Sequence, residues 1–203
     1  TPRRTVFLVG ATSSLAQAIC AALARRDCAL ILSGRDANEL QLLAGDLLAR
    51  YKPPCTVLAA DLLDPEFSPA ALVRRAGEFD DAVIASGDMG NDPFDIPNLA
   101  YTAALNYILP AQIAIAVARR LAEKKKGTLV IISSVAGDRG RQSNAAYGAA
   151  KAALTAFASA LRNRYCKQGV HVMTVKPGFV DTPMTWGMNS PLIAGREYVA
   201  GRI

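Results

Sequence analysis

The sequence predicts an α/β fold: a doubly wound, mostly parallel sheet with helices on both faces, giving three layers. Six short apolar runs alternate with helical patterns along 203 residues. The runs are almost continuously apolar, which is typical of parallel strands that helices cover on both sides. No internal repeat or linker divides the chain, so we predict one domain over residues 1–203, with 183–203 as a candidate pocket segment.

The order of elements follows from these patterns. Strands are predicted at 6–9, 29–32, 56–59, 82–85, 128–132 and 170–175, and helices at 15–26, 38–50, 70–78, 97–125 and 145–168. Residues 185–203 contain one helix start but no seventh apolar run, so we expect an incomplete sheet. Ligands of such sheets bind beyond the carboxyl ends of the strands, where the functional residues are therefore expected.

Charge and cysteine content exclude several classes of protein. The net charge is +6 with a pI near 9.3, but the basic residues form scattered pairs without interleaved aromatics, so we expect no nucleic-acid partner. Four isolated cysteines and a single histidine, His171, predict no metal site. Buried thiols suit a reducing compartment, and residues 1–4 run directly into a strand without a signal peptide, which predicts a cytoplasmic protein.

One uncharged stretch, 96–118, is long enough to cross a bilayer. It contains two prolines, two asparagines and a glutamine. In hydrocarbon, the polar side chains and the helix carbonyls that prolines leave free would lack hydrogen-bond partners. We therefore predict a buried helix or a subunit contact and no transmembrane span.

The first strand leads into a small-residue turn that opens a helix. Gly10 permits the tight turn, and the residues around the helix start can present amides to a phosphate: Thr12, Ser13, Ser14 and Leu15. This pattern favours a nucleotide site, although simple strand–helix packing would look the same.

The second strand ends in Ser33-Gly34-Arg35-Asp36, near the position where dinucleotide folds recognise the adenosine ribose. An arginine there favours a 2′-phosphate, so Arg35 predicts NADP(H) in preference to NAD(H). In the alternative interpretation, Arg35 is merely exposed and Asp36 caps the next helix.

The most specific pattern follows the fifth strand: Ser134, then Tyr147 thirteen residues later and Lys151 four beyond it. Tyrosine and lysine at this spacing share one face of a helix. A nearby ammonium stabilises a phenolate, which allows a tyrosine to exchange a proton near neutral pH. Ser134 could orient the reacting oxygen.

With this ordered set the chain resembles the short-chain dehydrogenase/reductase family over residues 10–182. The resemblance implies a Rossmann-like fold in which Ser134, Tyr147 and Lys151 are catalytic, with Tyr147 and Lys151 also contacting the cofactor. Asn106 is similar to the family's fourth catalytic residue, although a helix kink beside Pro110 would also explain it. Further cofactor contacts are implied after the strands, namely Ser33, Asp61, Leu62, Ala85, Ser86, Gly87, Pro177, Gly178, Val180 and Thr182.

Two motifs depart from the family pattern. In the glycine motif Gly10 is kept, but Val9, Ser14 and Ala16 stand at the other marked positions. Ser14 adds a side chain where the backbone approaches the pyrophosphate. Residues 84–87 read Ile-Ala-Ser-Gly instead of Asn-Asn-Ala-Gly.

The resemblance implies an NADP(H)-dependent oxidoreductase that interconverts a carbonyl and an alcohol, with a small-molecule substrate. Two alternatives remain open: a non-catalytic NADP-binding sensor or scaffold, and an epimerase that oxidises and re-reduces its substrate. The resemblance also implies a homodimer or homotetramer formed through the long helices, 97–125 and 145–168. After Thr182 the sequence offers apolar residues for a pocket wall, namely Met184, Trp186, Met188 and Leu192.

Overall fold

The computed structural model describes residues 3–187 and 190–203, and its central feature is a six-stranded sheet. The strands are β1 (Thr5–Val9), β2 (Ala29–Gly34), β3 (Cys55–Ala59), β4 (Asp81–Ile84), β5 (Gly127–Ile132) and β6 (Val170–Val175). Their order is β3-β2-β1-β4-β5-β6, and every pair is parallel. The predicted class is confirmed, and every strand lies within two residues of its predicted bounds.

Helices connect the strands and cover both faces. They are α1 (Ser14–Arg25), α2 (Ala37–Tyr51), α3 (Pro69–Ala76), α4 (Ile96–Ala103), α5 (Leu109–Glu123), α6 (Ala145–Tyr165) and α7 (Arg196–Ala200). Side-chain caps on backbone amides start the first four: Ser13, Asp36, Ser68 and Asp95. Such caps satisfy amides that have no partner within the helix.

The two faces of the sheet form two apolar clusters. One lies under α3, α5 and α6 and contains Phe7, Ile84 and Leu129 from the strands. The other lies under α1, α2 and α7 and contains the alternate residues Leu8 and Val83. This alternation produces the predicted three layers.

The edge strands differ from the central four. β1, β2, β4 and β5 are largely buried, whereas β3 has exposed or half-buried residues throughout and β6 exposes His171. The outer edge of β6 is partly satisfied by Arg162, whose Nε donates to the Val172 carbonyl at 2.7 Å. Among the described residues there is no seventh strand, as expected.

The predicted helix 97–125 is interrupted. A π-helical turn, Ala104–Ile108, separates α4 from α5 within the continuous helical segment Ile96–Glu123. This segment is long and apolar enough to cross a membrane, but a helix in a protein core can meet the same criteria of length and composition. Its buried side, with Ile113, Val117 and Leu121, packs against the sheet as predicted.

Two expectations need correction. Cys166 is exposed and Cys55 is half-buried, whereas Cys20 and Cys28 are buried thiols as predicted. The basic pairs are far apart in the sequence, but the fold brings several of them together where α3 and α5 end.

Candidate active site

The turn after β1 is fixed by close backbone contact. Gly10 has φ +77°, and a Cβ placed there would lie 2.7 Å from the Ser86 amide nitrogen. The amides of Gly10 and Ala11 both donate to the Ser33 carbonyl at 2.9 Å. Only glycine fits this approach, so the ends of β1, β2 and β4 meet at the start of α1.

The start of α1 has the geometry expected of an anion site. Ser13 caps the helix, accepting from the Ala16 amide at 3.4 Å, and Ser14 is its first residue. Thr12 and Leu15 are half-buried beside them. A twelve-residue helix directs its free amides and the positive end of its dipole towards this point.

Arg35 is exposed and Asp36 caps the next helix, as the alternative to a role in cofactor recognition described. Arg35 is exposed and makes no ion pair with any described residue. The Asp36 carboxylate caps α2, accepting from the amides of Asn38 at 2.8 Å and Glu39 at 3.1 Å. Because Asp36 is engaged by these amides, the Arg35 guanidinium remains available to an anion.

The contacts implied after β3 and β4 lie at the same edge. Asp61 is exposed and its carboxylate accepts from the Leu63 amide at 3.0 Å, while Leu62 packs against the core. The hydroxyls of Ser33 and Ser86 are buried without a hydrogen-bond partner among the described residues. These two serines can therefore serve the site only through their backbone or after a side-chain rotation.

Asn106 lies in the π-helical turn and is fully buried. Its Nδ2 donates to the carbonyls of Thr102 at 2.9 Å and Asp88 at 2.6 Å, and its Oδ1 accepts from the Asp88 amide at 3.1 Å. A π-turn leaves a helix carbonyl without its usual partner, and the amide of Asn106 provides one. Asn106 thus fixes the backbone just beyond β4.

Gly87 separates Asn106 from Lys151. A Cβ at Gly87 would lie 2.6 Å from Asn106 Oδ1 and 3.2 Å from Lys151 Nζ. The missing side chain is what allows both polar groups to lie close to the backbone of Gly87.

Lys151 is a buried cation on α6, with 3% of its surface exposed. Its Nζ donates to the Ile132 carbonyl at 3.1 Å and lies 5.6 Å from the centre of the Tyr147 ring. Burial lowers the pKa of Lys151 from 10.5 to about 8. The predicted pairing of tyrosine and lysine on one helix face is therefore present.

The pKa of Tyr147 differs from the expectation that Lys151 would lower it. Burial raises the pKa of this phenol, and hydrogen bonding with Ser134 opposes the rise. Ser134 follows β5, and its hydroxyl also accepts from the Ala136 amide at 3.1 Å. The structure brings Ser134 and Tyr147 together, but in this arrangement the phenol is held protonated.

Two sets of contacts near Lys151 and Ser134 were not predicted from the sequence. Ser133 Oγ donates to the Lys151 carbonyl at 3.0 Å and lies 2.6 Å from Thr155 Oγ1. Lys176 forms an ion pair with Asp138 and so joins the segment after β6 to the segment after Ser134. The serine doublet was visible in the sequence, whereas no pattern links residues 138 and 176.

The segment after β6 lies against the segment that follows β5. The Val135 amide donates to the Pro177 carbonyl at 3.1 Å, which holds Pro177 and Gly178 next to Ser134. Val180 is buried and forms an isolated parallel bridge with Ala194, while Thr182 Oγ1 donates to the Val180 carbonyl at 3.3 Å.

The apolar residues of the predicted pocket wall are exposed. The side chains of Met184, Leu192 and Trp186 are 47%, 73% and 91% exposed, so they do not form a closed wall. Met188 lies outside the described residues. Within the described part of the chain, no three His, Cys, Asp or Glu side chains are grouped as a metal site would need.

Comparison with known proteins identifies the family. The family model for short-chain dehydrogenases matches residues 4–192. An uncharacterized oxidoreductase in the mprA 5′ region of Streptomyces coelicolor is 36% identical over 193 residues, covering 91% of this chain and 75% of the relative. The chain belongs to the short-chain dehydrogenase/reductase family. It is an enzyme of that class, a family that binds NAD(P).

A further relative and a solved structure are also similar to the chain. The Drosophila melanogaster dehydrogenase/reductase SDR family protein 7-like is 28% identical, covering 97% of this chain but 63% of the relative's length. A solved short-chain dehydrogenase from Sphingobium yanoikuyae in complex with NADPH has a TM-score of 0.87 at 24% identity, covering 97% of this chain and 81% of that one. The latter likeness supports the fold. Membership of an enzyme family argues against the sensor or scaffold alternative.

Proposed function

We propose that the protein is an NADP(H)-dependent oxidoreductase that interconverts a carbonyl and an alcohol, with Tyr147 as the acid/base. The observation that carries this proposal is the arrangement of Tyr147 and Lys151 on one helix, with Ser134 at the phenol and Lys151 Nζ 5.6 Å from the ring. Burying a lysine without an ion pair is costly, which suggests that its position serves function more than stability.

The residues present fit a dinucleotide. The capped start of α1 beyond Gly10 suits a pyrophosphate, and the unpaired Arg35 suits a 2′-phosphate. Ser14 can add a hydroxyl to the phosphate site. Lys151 would hold the ribose next to the nicotinamide, and Pro177, Gly178, Val180 and Thr182 would hold its carboxamide.

The proposed mechanism assigns one task to each catalytic side chain. When bound, NADPH supplies the hydride. The phenol of Tyr147, held protonated by burial, donates its proton to the substrate oxygen in the reductive direction. The Ser134 hydroxyl hydrogen-bonds the same oxygen, where negative charge grows in the transition state. With a pKa of about 8, Lys151 is mainly an ammonium at neutral pH and stabilises the phenolate that remains.

Substitution of Tyr147 tests this mechanism. Tyr147→Phe keeps the ring but removes the proton, so we expect kcat for carbonyl reduction to fall by about a thousandfold or more while NADPH binding changes little. Tyr165→Phe is the matched control, since Tyr165 is a buried tyrosine on the same helix but packs in the core. Retained turnover in Tyr147→Phe would refute the assigned role.

A fluorescence titration with NADPH and with NADH tests the cofactor preference. We expect tighter binding of NADPH, and a selective loss of NADPH affinity of about tenfold to a hundredfold in Arg35→Ala, because a charged contact to the phosphate is removed. Arg164→Ala, at an exposed arginine on α6, is the control. Equal losses for both cofactors in Arg35→Ala would overturn its role.

Association through the long helices is part of the proposal. Tyr107 and Phe157 meet edge to face across the α4–α5 and α6 segments, with ring centres 6.4 Å apart, and Ile108 beside them is 46% exposed. Alanines exposed on α6, such as Ala149, Ala156 and Ala160, permit close helix packing. Light scattering at micromolar concentration should report a dimer or tetramer, and a strict monomer would contradict this.

We also propose a cytoplasmic location. The support is the set of four free cysteines, one of them the exposed Cys166, which a reducing compartment tolerates. Cell fractionation tests this proposal, and recovery of the protein outside the cytoplasm would refute it.

A further inference from the structure

A groove forms between α3 and α5, where arginines from two basic pairs that are separate in the sequence meet. Arg74-Arg75 ends α3, and Arg119-Arg120 lies in the last turns of α5. We call this the basic groove; its volume is about 330 Å³, and it is lined by Ala70, Val73, Arg74, Gly77, Ala116, Arg119, Arg120 and Glu123.

The lining of the basic groove is net positive, with three arginines against one carboxylate, Glu123. Glu78 bridges Arg120 and Lys124, and Glu123 lies 3.0 Å from Arg120. Arg74 and Arg119 make no ion pair with any described residue. Two cations at the groove are therefore left without a counter-charge.

Helix stability explains only part of this charge. Cations in the last turn of a helix interact favourably with its dipole, which accounts for Arg74, Arg75 and Arg120. The effect falls off within that turn, so it does not account for Arg119, which precedes the last turn of α5. The helix dipole also does not explain the apolar residues that lie between the arginines, Ala70, Val73 and Ala116.

The basic groove is remote from the active site. α3 ends before β4 begins, and α5 ends before β5 begins, so both carboxyl termini lie at the edge of the sheet where the strands start. Ser134 and Gly87 follow the opposite ends of β5 and β4. An occupant of the groove would therefore leave the catalytic residues untouched.

The shape and composition of the groove decide which anion it fits. None of the residues that line it is aromatic, so bases could not stack there as single-stranded nucleic acid requires. It is concave, with small apolar residues Ala70, Val73 and Ala116 between the arginines, whereas a bilayer needs a broad convex or flat surface. A protein segment with an apolar face between carboxylates matches it.

We propose that the basic groove is a docking site for an acidic, amphipathic segment of a partner protein. The apolar side chains of this segment lie against Val73 and Ala116, and its carboxylates pair with Arg74 and Arg119. The inference does not depend on the proposed reaction, since none of these residues belongs to the active site.

The test uses a fluorescein-labelled peptide of about fifteen residues, with leucine at every third or fourth position and glutamate at most others. Fluorescence anisotropy should show saturable binding to the wild-type chain that weakens with salt. The double substitution Arg74→Glu with Arg119→Glu should weaken binding at least about tenfold. The matched control, Arg164→Glu with Lys167→Glu, changes two exposed cations near the end of α6 and should alter binding less than about twofold.

Several outcomes would overturn the proposal. These are no binding of the peptide at about millimolar concentration, equal loss in the control variant, and equal binding of a peptide with lysine in place of glutamate. Tighter binding of a labelled twenty-nucleotide single strand, or of phosphatidylserine vesicles, with the same sensitivity to Arg74→Glu and Arg119→Glu would assign the groove to another class of partner. Unchanged thermal unfolding and NADPH binding in both variants shows that they are folded.

Discussion

Replacing Lys151 by methionine should make the protein more stable while abolishing its activity. Lys151 is 3% exposed, and burial lowers its pKa from 10.5 to about 8. Each pKa unit corresponds to about 1.4 kcal/mol, so keeping the ammonium buried at pH 7 costs about 3 kcal/mol. Methionine has a similar length and no charge. It loses the hydrogen bond to the Ile132 carbonyl, worth about 1 kcal/mol, which leaves a net gain of about 2 kcal/mol.

The pH dependence distinguishes this cause from better packing. Because the pKa of Lys151 is lower in the folded protein, the unfolded chain binds more protons between pH 8 and 10.5. The stability contribution of this group therefore rises with pH across that window in the wild type. Lys151→Met lacks the titration, so its advantage should be largest at pH 7 and shrink towards pH 10.

Urea unfolding at pH 7, 8, 9 and 10 measures the difference directly. Lys167→Met, at an exposed lysine, is the control and should show no pH-dependent advantage. A Lys151→Met protein that is less stable at pH 7, or whose advantage does not change with pH, would show that the buried charge is not the cause. Retained turnover would refute the catalytic assignment independently.

Three further substitutions and modifications have clear expected results. Gly87→Ala places a methyl group 2.6 Å from Asn106 Oδ1, so activity should be lost and the free energy of unfolding should fall by about 2 kcal/mol. The control Gly45→Ala lies in the middle of α2 with open space around it, and thermal unfolding should show that it stabilises the protein by up to about 1 kcal/mol. The Asp81 carboxylate pairs with Arg4 and accepts from the Thr128 amide, so it joins the starts of β4 and β5. Asp81→Asn should lower the free energy of unfolding in urea by about 2 kcal/mol, and a loss below about 0.5 kcal/mol would contradict this. Cys166 should react with a thiol reagent in the folded protein, while Cys20, whose pKa is raised by burial, should react only on unfolding; early labelling of Cys20 by mass spectrometry would disagree.

The sheet was predictable because its signals are local. Continuous apolar runs such as 128–132 have the length and composition of buried strands, and the six strands formed where such runs occur. The order of Ser134, Tyr147 and Lys151 was also visible, because fixed spacing on known elements needs no knowledge of distant contacts. These features depend on the residues themselves and on their nearest neighbours.

The remaining features depend on contacts between distant parts of the chain. In the π-turn, the side chain of Asn106 is hydrogen-bonded to the backbone of Asp88, eighteen residues earlier, so no periodicity in the helix reveals this contact. The rise in the pKa of Tyr147 reflects burial by the assembled fold. The basic groove forms only when α3 packs beside α5, although its cations are plain in the sequence.

Gly10 and Gly87 together determine the spacing between the two ends of the proposed cofactor site. Gly10 touches the backbone of Ser86, the next residue is Gly87, and Gly87 touches Asn106 and Lys151. This chain of contacts runs through the backbone until its last step, the side chain of Lys151, which is held by burial and by its hydrogen bond to the Ile132 carbonyl. A cofactor held at the first turn would consequently meet the lysine at a separation that these contacts restrict. Changes in the exposed segment after Thr182 could then alter which substrate is accepted without disturbing where the reaction takes place.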